Sequence, residues 1–200
     1  MKLKTILGLA AGITLGLSAS ALAAPITTPP PVINASGDVV AYYVFANADD
    51  TSQLGEVSPS PFPFIFCNHA PLCGSQNVAG DSMDLGVQAG PLVFSLDNLS
   101  TGTTFTSNAP DADGNYHIVV TSSYADFGLG ALPAGVPSGP GVTYVAWEDL
   151  TAGQGSDFDY NDLIFAFTNT RSSIPEPLTL SLFGAGILGL VGLRRRRRTA

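Results

Sequence analysis

Leu163-Ile164-Phe165-Ala166-Phe167-Thr168 is the stretch whose reading decides the fold. It is an aliphatic and aromatic run bounded by Asn161-Asp162 before and Asn169 after, too short for a stable helix and of the composition that suits a strand. Strand alternation sends Leu163, Phe165 and Phe167 towards a core and turns Ile164 and Ala166 to the opposite face. Working outward, the same texture recurs at Val142–Glu148, Tyr116–Ser122, Thr103–Thr106, Pro91–Leu96 and Asp38–Asn47, each bounded by Gly, Pro, Asn or Asp. No segment between these runs holds a helical period for ten residues, and 22 Gly with 15 Pro disfavour helices generally. The expectation is an all-β chain, an antiparallel β-sandwich of jelly-roll-like kind.

Two intervals do not fit that texture. Residues 24–37 contain Pro25, Pro29, Pro30 and Pro31 and read as a Pro-rich flexible leader, which places the β-sandwich domain at 38–173. Between Glu56 and Asp84, four prolines (Pro59, Pro61, Pro63, Pro71) speak against regular central strands. Cys67 and Cys73, the only two cysteines, fall in this interval, and an oxidising compartment would join them in a small disulfide loop. Chelation of zinc by the cysteines with His69 lacks a fourth ligand nearby.

Both termini read as addresses. Lys2 and Lys4, the apolar run Ile6–Leu17 and the small-x-small site Ala21-Leu22-Ala23 form a secretory signal at 1–23, cleaved after Ala23. At the other end, Pro175-Glu176-Pro177 precedes an uncharged apolar segment, 178–193, and then Arg194, Arg195, Arg196, Arg197 and Arg198. A helix over 178–193 would reach about 24 Å, just under a hydrocarbon core, with the arginines holding its end at the cytoplasmic surface. An ordinary membrane anchor would share the apolar run and the basic stop. The ordered triple of Pro-Glu-Pro, apolar helix and arginine cluster resembles the PEP-CTERM sorting signal of Gram-negative bacteria. That resemblance covers 174–200 and implies a partner, the membrane enzyme exosortase. It also implies transient anchoring in the inner membrane, then a cell-surface or extracellular location, often where extracellular polysaccharide is made.

Between the two addresses the chain is strongly acidic. From Ala24 to Ser173 it carries one Arg against fifteen acids, a net −14 with histidines neutral. Such a body repels a phosphate backbone, which excludes nucleic acid as a partner.

The acids are also patterned. Trp147-Glu148-Asp149-Leu150 is followed by Gly153-Gln154-Gly155-Ser156 and then Asp157-Phe158-Asp159-Tyr160-Asn161-Asp162. Asp157, Asp159 and Asn161 alternate, so a tight turn can converge their oxygens, with Asp162, Glu148 and Asp149 close by in sequence. Six to eight oxygens at about 2.4 Å is what Ca²⁺ takes, and no nitrogen or sulfur ligand stands in the run to favour a softer metal. The spacing recurs at Asp111, Asp113 and Asn115, with Gly114 available for a sharp turn. Neither copy is an EF-hand, because Ser122 and Thr168 stand where the closing Glu belongs. Solvated turns use the same residues. The 147–164 run also resembles a short bacterial extracellular domain of unknown function that ends in glycines and D-x-D-[YF]-N-D-[LV]-[VI]. That resemblance implies secretion and surface display, with calcium binding inferred and no reaction.

Rival chemistries are weaker. Glu148 with Asp157 or Asp162 could act as a glycosidase pair, but one of them would need a raised pKa. His69 and His117 lack a nucleophile motif, and His117 reads as a packed strand residue. A carbohydrate-binding module would pair calcium with an exposed Trp147 or Tyr160, although Trp147 reads first as core. The sequence therefore points to an exported, non-enzymatic surface or matrix protein, structural or adhesive among extracellular polysaccharide, its β domain held by calcium.

Overall fold

The computed structural model describes residues 24–70 and 72–173; the expected signal (1–23), the apolar segment and the arginine cluster lie outside them. Nine strands form the body: β1 (Val32–Ala46), β2 (Ser52–Ser58), β3 (Phe62–Cys67), β4 (Ser82–Asn98), β5 (Thr103–Thr106), β6 (Ile118–Thr121), β7 (Val142–Trp147), β8 (Leu163–Thr168) and β9 (Thr170–Ser173). Two short 3-10 turns, Tyr124–Phe127 and Ala152–Gln154, are the only helical elements among the described residues. Every strand pairing is antiparallel. The hydrogen-bonded order is β3-β2-β4-β1-β8-β7-β6, with β5 added to β4 and β9 to β1.

β1 and β4 are long because each serves two sets of partners. Residues 82–92 of β4 pair with β1, and residues 93–98 pair with β2 and β5. In β1, residues 32–35 face β9 and residues 41–46 face β8. The sheet doubles back over its own apolar face, so strands far apart in the ladder meet through their side chains. Phe66 of β3 stacks on Phe165 of β8 with centroids 5.9 Å apart, and Phe94 of β4 stacks on Phe167 at 4.3 Å. Tyr43 of β1 packs edge-on against both Phe66 and Phe165, completing the centre of the core. Such aromatic contacts each add about 0.5–1.5 kcal/mol beyond simple burial.

Leu163, Phe165 and Phe167 enter this main core as alternation requires, together with Val145 and Trp147 of β7. The other face of β7 and β8 is buried as well. Tyr144, Ala146, Ile164 and Ala166 lie under a second apolar cluster built from Tyr124, Val136, Phe158 and Tyr160. Burial on both faces explains why these two strands read as nearly continuous apolar runs. The segment 122–141 supplies most of that cover. It approaches Gly80 so closely that a Cβ there would stand 2.8 Å from the Ala134 carbonyl oxygen, and Gly80 has φ +95°.

The structure departs from the sequence reading at three places. β1 starts at Val32, six residues before the expected domain boundary, and Ile26 bridges Tyr116, so 24–37 is not a free leader. The interval expected to lack regular central strands holds an edge strand, β3, and the end of the internal strand β2. β3 lies at the end of the strand order and tolerates Pro63 because an edge residue need not donate to a further ladder. β4 begins at Ser82, well before Pro91, with Gly86 and Gly90 in left-handed conformations along it. Cys67 and Cys73 are joined as a disulfide.

A carboxylate cleft at the strand ends

Register brings the acids together. Trp147 is opposite Leu163 and Ala46 is opposite Leu163 on the other side, so β1, β7 and β8 end side by side. The residues just beyond those ends must share one small region. The Asn47 amide donates to the Asp162 carbonyl at 2.9 Å, and the Glu148 amide donates to the His117 carbonyl at 3.0 Å. A cleft of about 250 Å³ opens there, lined by Asn47, Asp49, Asp50, Glu148, Asp149, Asp157 and Asp162 among others.

The loop from Asp157 to Asn161 is shaped by alternation of a different kind. The Asp159 amide donates to Asp157 Oδ1 at 3.3 Å, and the Asn161 amide donates to Asp159 Oδ1 at 3.1 Å, two successive Asx-type turns. Between them, Phe158 and Tyr160 occupy left-handed backbone at φ 55° and 54°. Bulky residues reach that region only when the surroundings hold them there. Here both rings are buried in the second core, and the Tyr160 hydroxyl accepts from the Ile26 amide and donates to the Tyr116 carbonyl. With the aromatics anchored inward, Asp157 and Asp159 are presented outward.

Glu148, Asp157 and Asp159 each place an oxygen so that all three lie within 4.8 Å of one another. Oxygens sharing one calcium at 2.3–2.6 Å are at most about 5 Å apart, so these three fit a single ion. Glu148 is only 2% exposed and its Oε2 has no hydrogen-bond partner. Burial, and then the charge of Asp162, pushes its carboxyl up to about 8. Asp149 is raised to about 7, again by burial first and Asp162 second. Burial raises Asp162 too. A raised acid has a costly charge in this setting.

Not every acid singled out in the sequence joins this group. Asp149 and Asp162 sit in the cleft but hold the fold: Asp149 Oδ2 accepts from the Ser52 hydroxyl, and Asp162 Oδ2 accepts from the Asp149 amide, both at 2.9 Å. Asn161 accepts from Asn47 and donates to Asp159. The second motif lies apart from the cleft. Asp113 accepts from the amides of Asn115 and Ala152 and pairs with His117 at 3.1 Å. Burial opposes its ionisation, yet those amides outweigh it and hold the carboxyl below its usual range. Asp111, Asp113 and His117 each place a ligand atom within 4.8 Å of the other two. His117 itself is buried against the ring of Phe105.

Asp49 and Asp50 were missed in the sequence. Their signal was available, since Asn47-Ala48-Asp49-Asp50 directly follows a strand that ends beside Leu163. The aromatics expected beside a sugar site are not free: Trp147 is wholly buried and Tyr160 is 4% exposed. Glu148, in the lining of the cleft, has the raised pKa that a general acid needs.

Comparison with protein families finds the PEP-CTERM protein-sorting motif at residues 173–197. No curated protein and no solved structure matches the chain. The chain therefore carries a PEP-CTERM sorting motif, which points to an exported protein processed by exosortase.

Proposed function

We propose that this exosortase-sorted chain is a cell-surface or extracellular-matrix protein whose β domain is locked by one calcium ion at the carboxylate cleft. Export begins with the signal at 1–23, the apolar segment 178–193 spans the inner membrane during sorting, and Arg194 to Arg196 mark its cytoplasmic end. The doubled sheet is read as a β-sandwich of jelly-roll-like kind spanning the body to Ser173. Its work is structural or adhesive within an extracellular polysaccharide layer, and it is not an enzyme.

The single observation that carries the calcium reading is Glu148, buried at 2% exposure with an unpartnered Oε2, within ligand distance of Asp157 and Asp159. An ion there would tie the end of β7 to the loop before β8, neutralise converging anions and stabilise the fold by mass action. Asp149, Asp162 and Asn161 support that loop, and the Asp111–Asp113–Asn115 turn is read as a staple to His117 and Ala152. Carbohydrate recognition by calcium with Trp147 or Tyr160 is the weaker reading, because neither ring offers a free face.

Thermal unfolding of the exported chain, residues 24–200 in mild detergent, tests this. Added calcium should raise the Tm over an EDTA-treated sample, by about 5–10 °C at a hundredfold excess over Kd. Equal melting temperatures across millimolar calcium would remove the metal and leave only the sorting route.

A further inference from the structure

The segment from Asn47 to Ser52, which leads from β1 into β2, straps the carboxylate cleft from behind. At its first end, Asn47 donates from its amide to the Asp162 carbonyl and from its side chain to Asn161 Oδ1, and Asn161 donates in turn to Asp159. At its other end, the Ser52 hydroxyl donates to Asp149 Oδ2 at 2.9 Å, and the Asn98 side chain ties Asp50 Oδ2 to the Asp149 carbonyl, one residue from Glu148. The strap thus reaches the supports of both Asp159 and Glu148, and its own Asp49 and Asp50 line the cleft. The two residues after Cys67 hold the strap in place. Asn68 is 1% exposed; its Oδ1 accepts from the Ser52 amide and its Nδ2 donates to the Asp50 carbonyl, both at 2.8 Å. His69 Nε2 donates to the Ala48 carbonyl at 2.8 Å. β3 ends at Cys67, so the ladder no longer fixes the backbone beyond it, and the Cys67–Cys73 disulfide closes the ring that contains Asn68 and His69.

We propose, resting on the calcium reading of the cleft, that the Cys67–Cys73 disulfide is a redox latch on that site. Latched, it keeps Asn68 and His69 on the strap, and the strap keeps the carboxylates ordered before the ion arrives, which lowers the cost of binding. Unlatched, Asn68 and His69 are released and calcium affinity falls. Opening is a two-electron reduction by a dithiol: the S–S bond breaks, Cys67 and Cys73 take the two protons and electrons as thiols, and the reductant leaves as its own disulfide. Cys73 is the more exposed of the two cysteines and Cys67 is wholly buried. The coupling is reciprocal, so calcium protects the disulfide by the same factor by which the disulfide favours calcium. A chain that leaves a reducing cytoplasm acquires the disulfide only outside it, so the cleft is completed after export.

Equilibrium dialysis of the exported chain against radiolabelled calcium, in mild detergent with and without excess dithiothreitol, tests the latch. Reduction should weaken calcium binding about tenfold, a coupling of ordinary size, while circular dichroism shows the β content retained. The route through the strap is read from His69→Ala, at a half-buried residue: the oxidised variant should bind calcium more weakly than the parent, and reducing it should cost less than reducing the parent. An unchanged ratio between the two redox states of His69→Ala would refute that route. The reciprocal measurement needs no variant. In buffers of graded dithiol-to-disulfide ratio, calcium that saturates both redox states should raise the ratio needed for half-reduction of Cys67–Cys73 by the same factor, about tenfold. Affinities within about twofold in the two redox states, or a half-reduction point unmoved by calcium, would overturn the latch and leave the calcium site standing. No calcium bound by the oxidised chain would remove the site and the latch together.

Discussion

Stripping divalent cations should make this protein less stable the more alkaline the solution, and calcium should abolish that trend. In the cleft, Glu148 is raised from 4.5 to about 8 and Asp149 from 3.8 to about 7. Each tenfold change in proton affinity corresponds to about 1.4 kcal/mol, so fully ionising either group in the apo fold costs roughly 4–5 kcal/mol. Water reaching the cleft screens part of that, and both groups respond to the same Asp162 charge, so a combined loss of about 4 kcal/mol is the working figure. The sign follows from the direction of the shift. Both folded-state values lie above the unfolded ones, so this contribution is fully present below about pH 4 and is lost as pH rises through 7 and 8. At roughly 2–4 °C per kcal/mol for a chain of this size, the Tm in EDTA should fall by about 10 °C between pH 5 and pH 8.5. Calcium binds the deprotonated carboxylates best at the alkaline end and should flatten or reverse that slope. Differential scanning fluorimetry across the pH range, with and without 5 mM calcium (a concentration on the order of extracellular-module affinities), reads both curves. Two curves that stay parallel would refute the argument, because they would show that the ion and the raised carboxyls are unconnected.

Three other outcomes follow from the packing. Glu56 is 2% exposed with neither carboxyl oxygen hydrogen-bonded, and burial raises it to about 7; Glu56→Leu should therefore stabilise the chain by about 1–3 kcal/mol at pH 8 and little at pH 4, read by urea unfolding at the two pH values. Gly80→Ala should destabilise by about 2–3 kcal/mol, since the methyl meets the Ala134 carbonyl and the backbone is left-handed; a urea midpoint unchanged from the parent would mean that 122–141 does not pack on Gly80. Tyr160→Phe removes the hydroxyl that joins Ile26 to Tyr116 and should cost about 1–3 kcal/mol while weakening calcium binding; full retention of both would show that the ring alone sets the loop.

Much of this architecture was legible because β7 and β8 bury both faces. Val142–Trp147 and Leu163–Thr168 consist almost wholly of core residues, so composition sufficed to mark them as strands. Where the structure was illegible, proline and glycine were the cause. Pro29 to Pro31 concealed the entry into β1, and Pro59, Pro61 and Pro63 concealed a hairpin whose outer member is an edge strand. The first half of β4 is polar and Gly-rich, and it is a strand because β1 pairs with it, a fact no local window contains. The site divides in the same way. Asp157 and Asp159 announce themselves by spacing, and Glu148 follows once Trp147 is paired with Leu163. Asp49 and Asp50 arrive from the end of β1, more than ninety residues earlier in the chain, and only the sheet order brings them to the cleft. At Asp111 and Asp113 the same spacing brings His117 into the group, and two amides also bind the Asp113 carboxylate, partners that no local window contains.

The most direct measurement is the number of calcium ions held per chain, obtained by equilibrium dialysis of the exported protein against radiolabelled calcium, with Glu148→Gln beside it. The account predicts one saturable ion in the parent and its loss in the variant, while circular dichroism shows the β content retained. No bound calcium in the parent, or undiminished binding in Glu148→Gln, would contradict it.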